Sequence, residues 1–194
     1  MSENAKMCNP AAIGLGGFAM TTFILQAHNL GWVGIGPVLW LGIVYGGTAQ
    51  LIAGFLEFKT GNNFGFSAFT SYGAFWIALC GYVIAGTSPS FAKAFPVLKL
   101  TGTGLGWFLV VWTIYTAIML IASMKHHSVL ALIFLTLLIG FIGLDMKELA
   151  GSKAMGTFAA WDLIVCAGLA WYLMAHVIFA DVGINLPVGK PWIK

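Results

Sequence analysis

The chain has 194 residues, of which 60% are hydrophobic and only 8% charged, and its mean hydropathy is +0.93. Soluble domains carry about 25% charged residues, so this inventory cannot clothe a water-soluble surface. The formal net charge of +3 comes from nine basic residues, all lysines, and they form no patch suited to nucleic acid.

The bilayer is therefore the expected solvent. A spanning helix needs roughly 20 mostly apolar residues to cross a hydrocarbon core of about 30 Å. Runs near 13–28, 35–56, 67–85, 102–123, 127–144 and 157–179 meet that measure. They lack the period of two of a membrane barrel, so the fold expected is an all-α integral membrane bundle of six transmembrane helices, one membrane domain over 1–194. Short connections make sequential helices antiparallel neighbours, and an even number of spans puts both ends on one side. Lys6, Lys59, Lys125, Lys190 and Lys194 fall on that side; Lys93, Lys99, Lys147 and Lys153 fall opposite. This bias places both termini in the cytoplasm of an inner or plasma membrane. The first run resembles a signal peptide but is followed by no small-residue cleavage site, so it reads as a span.

The first run starts at Asn9-Pro10, a dipeptide suited to opening a helix because proline's missing N–H is not needed there. It is rich in glycine and carries Phe18, Thr21 and Thr22. In lipid, helices associate through close approach at small residues. The second run accordingly places Gly42, Gly46, Gln50 and Gly54 at intervals of four along one side. Gln50 stands out, since an unpaired amide in mid-membrane costs on the order of 1–3 kcal/mol; it either bonds another helix or faces a wet path. Glu57 ends this run.

The third run brings Asn62, Asn63 and Ser67, read as helix caps, then Thr70, Ser71 and Tyr72. Thr70 and Ser71 either bond back to their own helix or join a lining, whereas a phenol at the depth of Tyr72 wants a partner. The link 91–99 mixes aromatics with lysine and suits the membrane surface. His126-His127 reads as a solvent-facing pair in a short loop. Ionisable groups otherwise sit near run ends: His28, Glu57, Asp162 and His176, of which Glu57 and Asp162 are the better candidates for proton handling. Cys8, Cys80 and Cys166 have no metal spacing. No cofactor or metal is expected, and no nucleophile with a base argues for an enzyme. An interior of uncharged donors suits a small polar solute that binds weakly and leaves quickly.

Several linked segments carry a family resemblance: NPAAIGL from Asn9 to Leu15, Gly17-Phe18, Met20-Thr21-Thr22, His28-Asn29, Tyr45-Gly46-Gly47 with Ala49-Gln50, Gly54 with Glu57, and AFTSYG from Ala68 to Gly73 before Phe75-Trp76. In these the chain resembles the acetate uptake transporter family. It departs from that family's pattern at Ala12, where proline is usual, and at Ile13, where leucine is usual. The resemblance implies a ring-like homohexamer with a path through each protomer, passive or proton-coupled, for acetate and related short carboxylates, succinate being a candidate. It also implies a constriction formed by Phe18, Tyr72 and Leu137, with helix 5 offering little motif to fix the last. Asn9, Thr21, Thr22, Gln50, Thr70 and Ser71 would line the path. The alternative reading is a channel for ammonia, urea or water.

Overall fold

The structure, a computed structural model, describes residues 8–194. It is helical throughout the bundle: α1 (Ala11–Asn29), α2 (Ile35–Ile43), a π-helical segment (Val44–Ala49), α3 (Gln50–Thr60), α4 (Asn63–Thr87), the short α5 (Pro89–Ala94), α6 (Gly102–Ser123), α7 (Ser128–Ala150) and α8 (Lys153–Ala180). Among the described residues, six helical stretches are long and apolar enough to cross a bilayer, with Ile35–Thr60 running unbroken as one of them. The chain is thus a multi-pass membrane protein. Most spans extend a few residues beyond the apolar runs, while α6 keeps to its run, and polar caps open α4, α6, α7 and α8. Asn62, Thr101, His127 and Ser152 accept backbone N–H groups of Gly65, Gly104, Leu130 and Met155. Gly61 and Gly151 close α3 and α7 with φ of +77° and +67°, where a side chain would be strained.

Two packing rules shape the bundle. Glycines draw the second span onto its neighbours. A Cβ on Gly73 would lie 2.7 Å from the backbone nitrogen of Leu51, and one on Gly54 would lie 2.9 Å from Thr70 Cα. Between α4 and α6, by contrast, rings hold the backbones apart. Phe75 stacks on Phe108 at 5.6 Å and meets Trp112 edge-on at 5.1 Å, and Tyr72 meets Tyr115 at 5.6 Å. Packing runs from α6 to α7, α7 to α8, α8 to α1, and from α1 to the second span and α4. The helices therefore encircle a lumen, with the aromatic seam completing the circuit.

The second span departs from the regular helix that its four-residue glycine spacing suggests. Gly46 and Gly47 sit inside the π turn, and Thr48 Oγ1 donates to the carbonyl of Ile43, five residues back, at 2.8 Å. The extra residue rotates the helix face C-terminal to it. Gly46 closes on Thr21 of α1, Gly42 and Gly54 close on Cys80 and Thr70 of α4, and Gln50 turns inward toward the lumen.

Beyond α8, the last residues form a strap over the α6–α7 turn. Val129 N–H donates to the Val188 carbonyl at 3.0 Å, Trp192 N–H to Met124 at 2.9 Å, Ser128 Oγ to Lys190 at 2.7 Å and Tyr172 hydroxyl to Pro187 at 2.7 Å.

Candidate functional site

Two cavities lie end to end inside the bundle. The larger, about 280 Å³, opens on the side where α1, α4 and α7 begin; Ala11, Leu15, Gln50, Phe64, Ala68, Phe134 and Leu173 form much of its wall. The smaller, about 30 Å³, lies toward the far side among Thr22, Gln26, Trp76, Phe141 and Leu163, and has room for about one or two waters. Three residues line both: Phe18, Tyr72 and Leu137. They come from α1, α4 and α7, and are 7%, 3% and 4% exposed.

Each of the three is fixed by its neighbours. The Phe18 and Tyr72 rings meet edge to face, centroids 6.1 Å apart. The Tyr72 hydroxyl shares a hydrogen bond of 2.8 Å with fully buried Thr116 of α6. The rings of Trp112, Tyr115 and Phe134 surround it. Tyr115 in turn donates to the Ser67 carbonyl at 2.9 Å, holding the aromatic seam in register. The phenol's polar end is therefore bound within the protein, and its ring edge faces the junction.

Polar groups stand on either side of this apolar waist. Gln50 Oε1, toward the larger cavity, and Trp76 Nε1, toward the smaller, are buried with no partner in the protein. Buried polar atoms are nearly always hydrogen-bonded, so each is positioned to hold a solute or water in the lumen. Thr22 and Gln26 also face the smaller cavity, where Gln26 Oε1 accepts from Asn29 at 2.8 Å. Gln26 carries little mark in the sequence because it lies at the end of a run beside the more conspicuous His28. Its four-residue step from Thr22 was the available signal.

The residues otherwise selected from the sequence as lining or proton-handling lie off both linings. Asn9 Oδ1 accepts the Ala11 N–H at 2.9 Å and opens α1. Thr21 is fully buried against the π segment, its Oγ1 donating to Leu41 at 3.4 Å. Thr70 packs under Gly54, and Ser71 lies beside the Tyr115 hydroxyl. Glu57 is buried at the α3–α4 turn, where its Oε2 accepts from Asn62 at 2.9 Å and Thr60 at 3.3 Å. Asp162 sits on α8 with a buried, unpartnered Oδ2. A carboxylate that the sequence did not single out, Asp145, accepts from Thr113 at 2.7 Å between α7 and α6.

The histidines of the α6–α7 turn do more than face solvent. His126, His127 and His176 all edge the mouth of the larger cavity. His126 packs on the Phe64 ring at 4.8 Å, which is why the loop folds inward. Burial, then the nearby His176 and His126, holds His127 below the usual histidine range.

Comparison with known proteins agrees with this geometry. The bacterial structure described as "Structure of the bacterial acetate channel SatP" superposes with a TM-score of 0.87 at 37% identity, covering 95% of this chain and all of that one. The succinate-acetate/proton symporter SatP of Escherichia coli (strain K12) is 39% identical over 194 residues, 96% of this chain and 98% of that protein. Acetate permease A of Emericella nidulans is 35% identical over 189 residues, 88% of this chain and 61% of the fungal protein. Residues 1–185 match the GPR1/FUN34/yaaH family. With six apolar spans around a waisted lumen and relatives matched along nearly its whole length, this chain belongs to the GPR1/FUN34/yaaH family of membrane proteins.

Proposed function

We propose that the chain is a membrane channel or transporter for acetate and related short carboxylates, succinate among them, with one path through each protomer. The observation that carries this reading is the meeting of two cavities at Phe18, Tyr72 and Leu137 alone. An apolar waist raises a desolvation barrier against small hydrated ions. Acetate is amphipathic: its methyl group can slide between the rings while Gln50 on one side, and Thr22, Gln26 and Trp76 on the other, hold its carboxylate. The names of the relatives, which speak of acetate and succinate, support the same solute class.

In this reading Phe18, Tyr72 and Leu137 are the constriction, and Gln50, Thr22 and Gln26 line the path. Thr21, Thr70 and Ser71 support it by packing. Glu57 ties down the α3–α4 turn, and Asp162 stands apart from both cavities. We also infer a ring-like homohexamer. Outward apolar side chains support this, including Trp40, Trp107 and Ile114, which are 72%, 62% and 59% exposed in the single chain. The lysine distribution supports an inner or plasma membrane with both termini cytoplasmic.

The test is uptake of labelled acetate into liposomes holding the purified protein. Protein-dependent uptake that excess succinate competes away is expected. Ammonia or water permeation that acetate leaves untouched, without acetate uptake, would favour the small-neutral-solute reading instead.

A further inference from the structure

Transport through the waist makes no use of the three imidazoles at the mouth. Their hydrogen bonds fix what two of them present to the lumen. His127 opens α7, and its Nδ1 accepts the Leu130 N–H at 3.2 Å, so the ring proton sits on Nε2. His176 of α8 has its Nδ1 2.8 Å from the Leu186 carbonyl of the strap. A carbonyl only accepts, so this Nδ1 carries a proton and donates, leaving a lone pair on Nε2. The two rings are thus held in opposite tautomers, one offering an N–H and the other a base.

Protonation acts on them unequally. A charged His127 would lose its bond to Leu130, and burial with the neighbouring imidazoles already disfavours that state. In His176 the Nδ1–H bond to Leu186 suits the cation, and the incoming proton has Nε2 to occupy. One proton from solvent therefore converts a donor and a base into two N–H donors, which match the two oxygens of a carboxylate.

The other charged groups around the mouth are engaged or carry positive charge, except that Glu57 Oε1 is buried without a partner at the α3–α4 turn. Asn62 spends its amide on Gly65 and on Glu57, and Glu57 accepts from Asn62 and Thr60. Lys125 donates to the main-chain carbonyl of Lys194, and the strap adds Lys190. His126 lies on Phe64, and Asp181 at the end of α8 has a partner. Neither α1 nor α4 brings an ionisable side chain to this part of the lining except Tyr72 at the waist. Among the described residues no set of three or more His, Cys, Asp or Glu side chains could hold a metal ion.

We propose that His127 and His176 form a proton-dependent capture site for carboxylate anions at the cavity mouth, separate from the constriction. The inference rests on the transport reading of the same cavity. On acidification His176 gains its proton and the anion is held. As pH rises the proton leaves, and the anion is released to the waist or to solvent. His176 binds the proton and His127 supplies the constant N–H.

Asparagine variants separate the site from the scaffold. In His127→Asn the amide oxygen can still cap α7, and in His176→Asn the amide N–H can still reach Leu186, yet each lacks Nε2. Labelled acetate uptake into liposomes holding the protein, in excess of empty liposomes, would be measured from about pH 8 to about pH 5.5 at constant anion concentration. Imidazole NMR of the purified protein at about pH 6, within the same span, would be followed as acetate is added. The wild type should show a KM that falls about tenfold on acidification, with acetate shifting the His127 and His176 signals. His176→Asn should keep the high KM at every pH, and His127→Asn should raise KM several-fold at low pH, with the loss in KM rather than in maximal flux. Uptake whose KM keeps the wild-type pH dependence in His176→Asn would overturn the site and leave the transport reading intact. Acetate-dependent histidine shifts without any protein-dependent acetate uptake would support the site and end the transport reading.

Discussion

Tyr72 joins the scaffold to the path: its hydroxyl pairs with Thr116 at 2.8 Å while its ring meets Phe18 at 6.1 Å. Tyr72→Phe keeps the ring but strands the Thr116 hydroxyl in a fully buried place. The expected cost is about 1–2 kcal/mol of stability, read as a lowered melting temperature in detergent, with acetate flux changed far less than by altering the ring. His127 gives a pH signature. Its folded pKa lies below the ordinary value, so the unfolded chain binds more protons in that window. Stability should therefore fall as pH drops below about 6.5. Melting curves from about pH 7.5 to about pH 5 should show this decline in the wild type and a shallower one in His127→Asn. Phe18, Tyr72 and Gln50 were legible one residue at a time because a large ring or an amide inside a glycine-rich apolar run needs a reason. Leu137 was not, since one leucine among many in α7 has no local mark; only the family resemblance pointed to it. The histidine mouth was hidden because His127 and His176 meet only through the fold, forty-nine residues apart in sequence.

At the scale of the element, the six spans could be read from the length of their apolar runs, which the bilayer dictates. Asn62 could be read as the cap of α4, and it is one, but most other ends could not, because caps such as Ser152 lie outside the apolar stretch. The π turn at Val44–Ala49 also lay beyond reach. A four-residue glycine spacing fits a regular helix equally well, and only contact with Thr21 on one side and α4 on the other decides the winding. A close approach of α3 and α4 gives a direct check. Gly73→Leu would force a side chain against the Leu51 backbone, which cannot rotate away. Overpacking of this kind costs about 1–3 kcal/mol or more. The variant should melt earlier and lose the assembled form in size-exclusion chromatography. Gly81→Leu, on the same helix with open space around it, should behave as wild type.

At the scale of the whole molecule, the organisation is a contrast between two kinds of contact. Small residues close the second span onto α1 and α4, and aromatic rings prop α4 away from α6. The space so created is a lumen interrupted once, where α1, α4 and α7 each contribute one apolar side chain. The sequence carried the apolar exterior and the uncharged interior, because composition alone forces both. It did not carry the strap after α8, whose proline, glycine and lysine content reads as a simple tail until its bonds to Met124, Ser128 and Val129 are seen. The most direct measurement is acetate uptake into liposomes by Leu137→Trp, an indole placed where both cavities meet. With the protein folded and reconstituted in equal amount, uptake should drop at least about tenfold, roughly 1.4 kcal/mol or more of added barrier. Uptake at the wild-type rate would mean that acetate does not pass between Phe18, Tyr72 and Leu137.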